Sequence, residues 1–309
     1  MFNDILFIAH KEIVLTDDPA FNKCLDFIRE TKGRITVFKV ITSELLPEPD
    51  ICSAAEFKDI ENKTIEYNRI RLVNMINGLD IGEKIDVCVV CGIDFIEIIK
   101  KADSGNYDLV AKVEDFKRDF LCSSDFHLLR KSTLPVWIMR HQHGGGYSRM
   151  VISIDLKLEE NDEGEELNRR IMFAARRFSK ILNVKVHVIS CWSFYGESLL
   201  SKNPFLDSDD NYLDLINKKE IKYQKLMEGF KNKYGEDIEC VLVRGEAETE
   251  IPRYVNSVGF DIVVMGTVAR TGISGYIIGN TAENILQSIA SSVVAIKPKG
   301  FKSPVMVDL

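Results

Sequence analysis

The chain has 309 residues, of which 45% are hydrophobic and 28% are charged, a composition typical of a globular protein with room for two domains. Its formal net charge of −7 argues against nucleic acid as a partner, because nucleic acid binding needs a basic surface. The sequence contains neither an apolar run of membrane-spanning length nor a basic-then-apolar leader, so we expect no membrane partner and a cytoplasmic location.

The first half alternates short apolar segments, rich in β-branched residues, with amphipathic segments. This alternation predicts parallel strands covered on both faces by helices. Ser123, Ser124 and Asp125 are typical helix-capping residues and predict the start of a helix, to which we assign no ligand site. The predicted strands are Ile5–Ile8, Ile35–Val40, Ile85–Val90, Leu109–Lys112 and Val136–Met139.

The seven cysteines are odd in number and scattered, which predicts reduced thiols. Cys88 and Cys91 have the spacing of a redox pair, but on a strand positions three apart face opposite ways. His141 and His143 have no third ligand near them in the sequence. We therefore predict no metal site and no redox site.

A glycine run, residues 144–146, divides the chain. Consecutive glycines are typical of a linker, so we predict one domain over residues 1–142 and a second over residues 148–309. Residues 134–140 align with residues 291–297, and Asp108 aligns with Asp261. The second domain therefore repeats the first.

The second half predicts the same order of elements, and each half is expected to form a doubly wound parallel sheet of five strands, in tandem. Ligands of such sheets bind at the carboxyl ends of the strands. The predicted strands are Met150–Ile154, Val184–Ile189, Ile238–Val243, Ile262–Met265 and Val293–Ile296, and the predicted helices are Glu165–Leu182, Tyr212–Tyr234, Ala247–Ser257 and Thr281–Ile289.

The strongest functional signal follows the fourth strand of the second half. Met265 and Gly266 end that strand, and Gly279 precedes Asn280, which is the predicted N-cap of the next helix. A strand, a glycine-bearing loop and a helix N-terminus together predict an anion site. The alternative is a tight loop that only joins the strand to the helix.

This glycine pattern resembles the nucleotide loop of the universal stress protein family, which reads Gly, two residues, Gly, nine residues, Gly, then Ser or Thr. Gly266 and Gly279 match, whereas Ala269 and Asn280 replace the middle glycine and the hydroxyl residue, and Thr281 offers a hydroxyl one position later. Two further segments support a resemblance to the tandem, E-type members over essentially the whole chain. They are residues 125–131 with 135–137, and residues 295–298.

The resemblance implies the universal stress protein fold, of the adenine nucleotide α-hydrolase-like class, and a cytoplasmic stress-response protein. Its second domain would bind ATP or another adenine nucleotide, with or without Mg²⁺, as a regulatory or structural ligand. In the family, the position of Asp155 commonly contacts the nucleoside and that of Val188 lines the adenine pocket. An aspartate capping the next turn and an ordinary core valine are the alternatives.

The first half departs from this pattern. Residues 111–115 contain no glycine, and His10 stands where the second half has Asp155. We therefore expect no nucleotide in the first domain. In the family the fifth strands pair across a dimer, so here they are expected to pair within the chain as a pseudo-dimer, which leaves a homodimer open.

Two other functions stay open. One is a nucleotide-free interaction scaffold with an unknown protein partner, and the other is a weak ATPase. The sequence contains no P-loop, no nucleophile elbow and no His-Glu-x-x-His motif. We therefore assign no catalytic residue and expect slow ATP hydrolysis at most.

Overall fold

The computed structural model divides the chain into two compact units. The first comprises Met1–Gly146, Thr267–Ile278 and Ser292–Leu309, and the second comprises Tyr147–Gly266 and Gly279–Ser291. The structure describes residues 2–9, 15, 18–42, 46, 51–78, 84–114, 121, 123–140, 146–194, 210–235, 238–267 and 279–306. His10, His141 and His143 lie outside these residues.

The first unit is a sheet flanked by helices. Its strands are β1 (Asp4–Ile8), β2 (Arg34–Ile41), β3 (Lys84–Cys91), β4 (Leu109–Val113), β5 (Val136–Met139) and β10 (Ser292–Ile296). Its helices are α1 (Pro19–Thr31), α2 (Ala54–Asn77), α3 (Asp94–Ser104) and α4 (Ser123–Lys131). The strand order is β3-β2-β1-β4-β5-β10, and the first five strands run parallel.

The second unit repeats this arrangement. Its strands are β6 (Arg149–Ser153), β7 (Lys185–Trp192), β8 (Glu239–Arg244) and β9 (Ile262–Gly266), in the parallel order β9-β6-β7-β8. Its helices are α5 (Asp162–Leu182), α6 (Asp210–Tyr234), α7 (Ala247–Val258) and α8 (Asn280–Ser288), with a 3₁₀ helix at Leu156–Glu160. The expected α/β class with mainly parallel sheets is confirmed.

Asp108 and Asp261, which align between the two halves, make equivalent hydrogen bonds to the backbone. The Asp108 carboxylate accepts the amide of Asn3 at 3.0 Å, just before β1. The Asp261 carboxylate accepts the amides of Ser148 at 2.7 Å and Arg149 at 2.9 Å, at the start of β6. Each aspartate therefore satisfies backbone donors where the first strand of its half begins.

The predicted pairing of the fifth strands is confirmed. β5 and β10 run antiparallel, with Trp137 opposite Val294 and Ala295 opposite Val136. Trp137 is fully buried, and its ring centroid lies 5.5 Å from that of Phe27 on α1. This pairing covers the edge of β5 and places β10 in the first unit.

In the described part of the chain, no helix is both long and apolar enough to cross a membrane.

Replacing Trp137 with alanine should lower the free energy of unfolding by about 3–5 kcal/mol, because the change leaves a large cavity between β5, β10 and α1. Tyr67→Ala is the matched control. Tyr67 is 66% exposed on α2, so its loss should change the stability by no more than about 0.5 kcal/mol. Guanidinium denaturation of the full chain measures both, and equal effects would contradict a packing role for Trp137.

Candidate functional site

Two neighbouring strands of the second unit end at the same edge of the sheet. β6 and β9 are parallel, and Ser153 lies opposite Met265. Asp155 follows β6 and Gly266 ends β9, so the register places both residues at the carboxyl edge. This is the edge at which doubly wound sheets bind ligands.

Asp155 caps the 3₁₀ helix that follows β6. Its carboxylate accepts the amide of Lys157 at 2.9 Å, and its backbone carbonyl accepts the side-chain amide of Asn168 at 3.1 Å. Asn168 is fully buried and also bonds Glu159 at 2.8 Å. The backbone of Asp155 is therefore fixed by α5. A carboxylate has further lone pairs with which to accept other donors.

Val188 and Met265 are part of the sheet core. Val188 is fully buried on β7, where it lies opposite Ile152 and Cys240. Met265 is 3% exposed on β9. Both side chains help to hold the strands that carry the carboxyl edge.

Gly266 lies against α5. A Cβ atom at this position would lie 3.3 Å from Cδ2 of Leu167 and 3.4 Å from Cδ1 of Ile171. These distances are tight, but they involve the ends of flexible side chains. Alanine would therefore fit with small shifts, whereas a β-branched side chain would push against α5 or into the space above the strand end.

Helix α8 begins without a side-chain cap. Its N-cap is Gly279, at φ −61° and ψ 138°, and no side chain of the described residues bonds its first amides. The prediction that Asn280 caps this helix is wrong, because Gly279 takes the extended conformation and Asn280 is already helical. Asn280 and Thr281 are both exposed in the first turn. Ala269 lies outside the described residues.

The first unit places a buried ion pair at the corresponding position. Nζ of Lys112 lies 2.7 Å from Oδ1 of Asp125, and the two side chains are 5% and 0% exposed. An alignment of the fourth strands on Asp108 and Asp261 matches Lys112 with Met265. An alignment of the following helices on their first residues matches Asp125 with Ala282. Sequence analysis missed the pair because its members lie on different elements.

A second polar pair occurs in both halves, just after the fourth and fifth strands. In the first half the guanidinium of Arg140 pairs with Glu114, and both side chains are buried. In the aligned positions of the second half, Nζ of Lys297 donates to Oγ1 of Thr267 at 2.7 Å. Both pairs lie within the first unit.

Lys297 is the most deeply buried amine of these pairs, at 1% exposure. It also donates to the carbonyls of Leu129 and Arg130 at the end of α4, and its Nζ lies 4.9 Å from the ring centroid of Phe301. Burial lowers the pKa of Lys297 from 10.5 to about 7, because desolvation disfavours the ammonium.

Among the described residues, no group of His, Cys, Asp and Glu is arranged to hold a metal ion.

Comparison with known proteins agrees with this architecture. Residues 146–297 match the universal stress protein family. Universal stress protein E of Escherichia coli K12 is 28% identical over 303 residues, which cover 94% of this chain and 93% of that protein.

The second half of the chain, residues 146–297, is a domain of the universal stress protein family.

Solved structures show the same fold. A universal stress protein from Archaeoglobus fulgidus aligns with a TM-score of 0.59 and 18% identity. The alignment covers 96% of this chain and 99% of that protein. A Pseudomonas aeruginosa protein of unknown function aligns with a TM-score of 0.68 and 21% identity. The alignment covers 96% of this chain and 92% of that protein. These two structures therefore share their fold with both halves of this chain.

Asp125→Ala should lower the free energy of unfolding by about 3–5 kcal/mol, because it leaves the Lys112 ammonium buried without its carboxylate. The double variant Lys112→Met with Asp125→Ala installs the residues found in the second half, and it should recover most of that loss. Denaturant titration measures all three proteins. A double variant less stable than Asp125→Ala would show that the ammonium is not the source of the cost.

Lys297 should make stability depend on pH. Below pH 7 both the folded and the unfolded chain carry the ammonium. Between pH 7 and 10.5 the unfolded chain holds a proton that the folded chain lacks, so the free energy of unfolding rises with pH by at most about 1.4 kcal/mol per unit. Lys297→Met should flatten this slope, whereas Lys299→Met, at an exposed position, should keep it. Parallel slopes for the two variants would contradict the assignment.

Proposed function

We propose that the second domain, residues 148–309, binds ATP or another adenine nucleotide, with or without Mg²⁺, and that the nucleotide is a regulatory or structural ligand of a cytoplasmic stress-response protein. The residues proposed to form the site are Asp155, Val188, Met265, Gly266, Ala269, Gly279, Asn280 and Thr281.

The N-terminus of α8 is the observation that carries this proposal. Its N-cap is Gly279, and no side chain in the described part of the chain caps its first amides. Such amides and the helix dipole attract phosphate groups. Gly279 also has no side chain to obstruct a phosphate. The site therefore offers an anion binding surface in the place where the family has its nucleotide loop.

The strand ends support a nucleoside beside those phosphates. Asp155 and Gly266 follow neighbouring parallel strands, and the backbone of Asp155 is fixed by Asn168. The Asp155 carboxylate accepts the amide of Lys157, and carboxylate oxygens are suitable acceptors for hydroxyl groups such as those of ribose. Val188 lies on the neighbouring strand β7, opposite Ile152 of β6.

We propose one nucleotide per chain. In the first half, the buried pair of Lys112 and Asp125 fills the positions that Met265 and Ala282 occupy in the second. Opening that pair to admit a ligand would expose or separate two buried charges, at a cost of several kcal/mol.

We propose binding without rapid turnover. Hydrolysis needs a residue that positions and activates water. The stretch from Gly266 to Thr281 contains no Asp, Glu or His. A bound nucleotide would instead stabilise the second domain and alter the surface offered to a protein partner.

A nucleotide-free scaffold is the second candidate. Ala269 and Asn280 favour it, because they replace two of the four residues of the family loop. Alanine adds a Cβ where the family backbone approaches the ligand, and Asn280 supplies an amide in place of a hydroxyl. Gly266, Gly279 and Asp155 favour the nucleotide.

Gly266→Val should weaken ATP binding at least about tenfold, or ~1.4 kcal/mol, because its methyl groups enter the space above the strand end. Gly229→Val is the matched control, since a side chain there meets open space on α6. Calorimetric titration with ATP and AMP measures the affinity, native mass spectrometry gives the stoichiometry, and circular dichroism checks the fold.

The variant Ala269→Gly with Asn280→Ser restores the family residues and should bind ATP more tightly than the parent chain. Retained affinity in Gly266→Val would place the ligand elsewhere. If neither the parent nor the restored variant binds millimolar nucleotide, the nucleotide proposal is wrong and the protein acts as a scaffold or through another ligand.

A further inference from the structure

We propose that a hydrogen-bonded network positions Asp155 against the nucleoside part of the nucleotide. The positioning network consists of Lys233, Glu159 and Asn168, and it runs from the last turn of α6 to the carboxyl end of β6. The inference rests on the proposed function, in which the Asp155 carboxylate accepts ribose hydroxyls. A group that contacts a ligand is held precisely when the residues behind it are themselves fixed by packing and hydrogen bonds.

Asn168 on α5 is the member of the network that contacts Asp155. Its Nδ2 donates to the Asp155 carbonyl at 3.1 Å and to Oε1 of Glu159 at 2.8 Å, and the residue is fully buried. Both neighbours offer only acceptors, so the Nδ2 side of the amide must face them. The buried Oδ1 has no hydrogen-bond partner among the described residues. The two donated bonds therefore fix the orientation of this side chain.

Asp155 is held at both of its polar groups. Its carbonyl accepts the amide of Leu158 at 3.0 Å as well as Nδ2 of Asn168. Its carboxylate accepts the amide of Lys157 at 2.9 Å. Because both groups belong to one residue, a displacement of the carbonyl would move the carboxylate that is proposed to meet the ribose.

Glu159 joins Asn168 to α6 by using one carboxylate oxygen for each neighbour. Oε1 accepts Nδ2 of Asn168, and Oε2 lies 2.9 Å from Nζ of Lys233. The Glu159 side chain is 12% exposed, so solvent screens this ion pair less than a fully exposed one. Nζ of Lys233 also lies 2.7 Å from Oε1 of Glu165 in the first turn of α5. The ammonium therefore ties α6 to both the 3₁₀ helix and α5.

The close approach of α5 to the 3₁₀ helix lets the network form. Gly164 lies in the first turn of α5, and a Cβ atom there would lie 2.5 Å from Cβ of Leu158 and 2.6 Å from its carbonyl oxygen. A larger residue would push the two helices apart. Asn168 lies one turn further along α5, so the lack of a side chain at Gly164 lets it reach Asp155.

The first test is Lys233→Met, which removes the ammonium and keeps a long side chain. Lys225→Met makes the same change at an exposed position of α6 and is the matched control. In the ligand-free protein, amide hydrogen exchange at Lys157, followed by NMR, should be at least about threefold faster in Lys233→Met than in the parent and the control. The Arg149 amide, bonded at the opposite end of β6, is the internal reference. Unchanged exchange at Lys157 would overturn the positioning of Asp155.

Asn168→Leu tests the inner end of the network. Leucine has a similar shape, removes both donated bonds, and also removes the buried Oδ1. Exchange at Lys157 should be at least about tenfold faster than in the parent, a larger effect than that of Lys233→Met, because the direct contact with Asp155 is lost. Circular dichroism checks the fold, and Lys233→Met decides the question if this variant does not fold.

The ligand test compares ATP with inorganic tripolyphosphate, which lacks the nucleoside. Lys233→Met should weaken ATP binding at least about threefold and leave tripolyphosphate binding unchanged, because the phosphates are proposed to bind at α8. An equal loss for both ligands would indicate a general structural effect and contradict a positioning role. In the Asp155→Ala background, Lys233→Met should cause no further loss of ATP affinity, because both changes act through one contact. Additive losses would also contradict the proposal.

These measurements separate the network from the proposed function. If the parent binds no nucleotide, the proposed function fails, and exchange at Lys157 still decides whether the network positions Asp155. If the parent binds ATP but Lys233→Met changes neither the exchange nor the affinity, the network is wrong and the proposed function stands.

Discussion

Hydrogen bonding between β6 and β9 is the interaction on which the second unit depends. These parallel strands set Ser153 opposite Met265, and a slip of one residue would turn every side chain of a strand to the other face. Their register therefore fixes both the core, through Met265, and the carboxyl edge, through Asp155 and Gly266. The same register therefore sets both the packing of the core and the relative position of the two strand ends.

The two halves share the hydrogen bonds that begin their first strands, but they differ in the side chains buried beside the fourth strand. Asp108 and Asp261 satisfy equivalent strand starts, whereas Lys112 with Asp125 stands where the second half has small and apolar side chains. Buried ion pairs often contribute little net stability compared with an apolar filling, but they tolerate no loss of one partner. The first half therefore holds a buried ion pair where the second half has apolar packing.

Much of the fold could be predicted from the sequence, because buried parallel strands are continuous apolar runs and the two halves repeat. Helix starts were less accessible. Asn161 caps α5 through the amide of Gly164 at 2.8 Å, so the helix begins at Asp162, before the predicted Glu165. Asn280 looks like a cap in sequence, yet the backbone gives that place to Gly279. The ion pair of Lys112 and Asp125 could not be predicted, because its two members lie on different elements, β4 and α4.

The position of β10 has a consequence for synthesis. The edge of β5 is covered by residues 292–296, which a ribosome makes long after the rest of the first unit's sheet. Until they emerge, β5 presents an open edge that other chains can pair with. A nascent or truncated chain that lacks β10 therefore leaves the edge of β5 open to pairing with other chains.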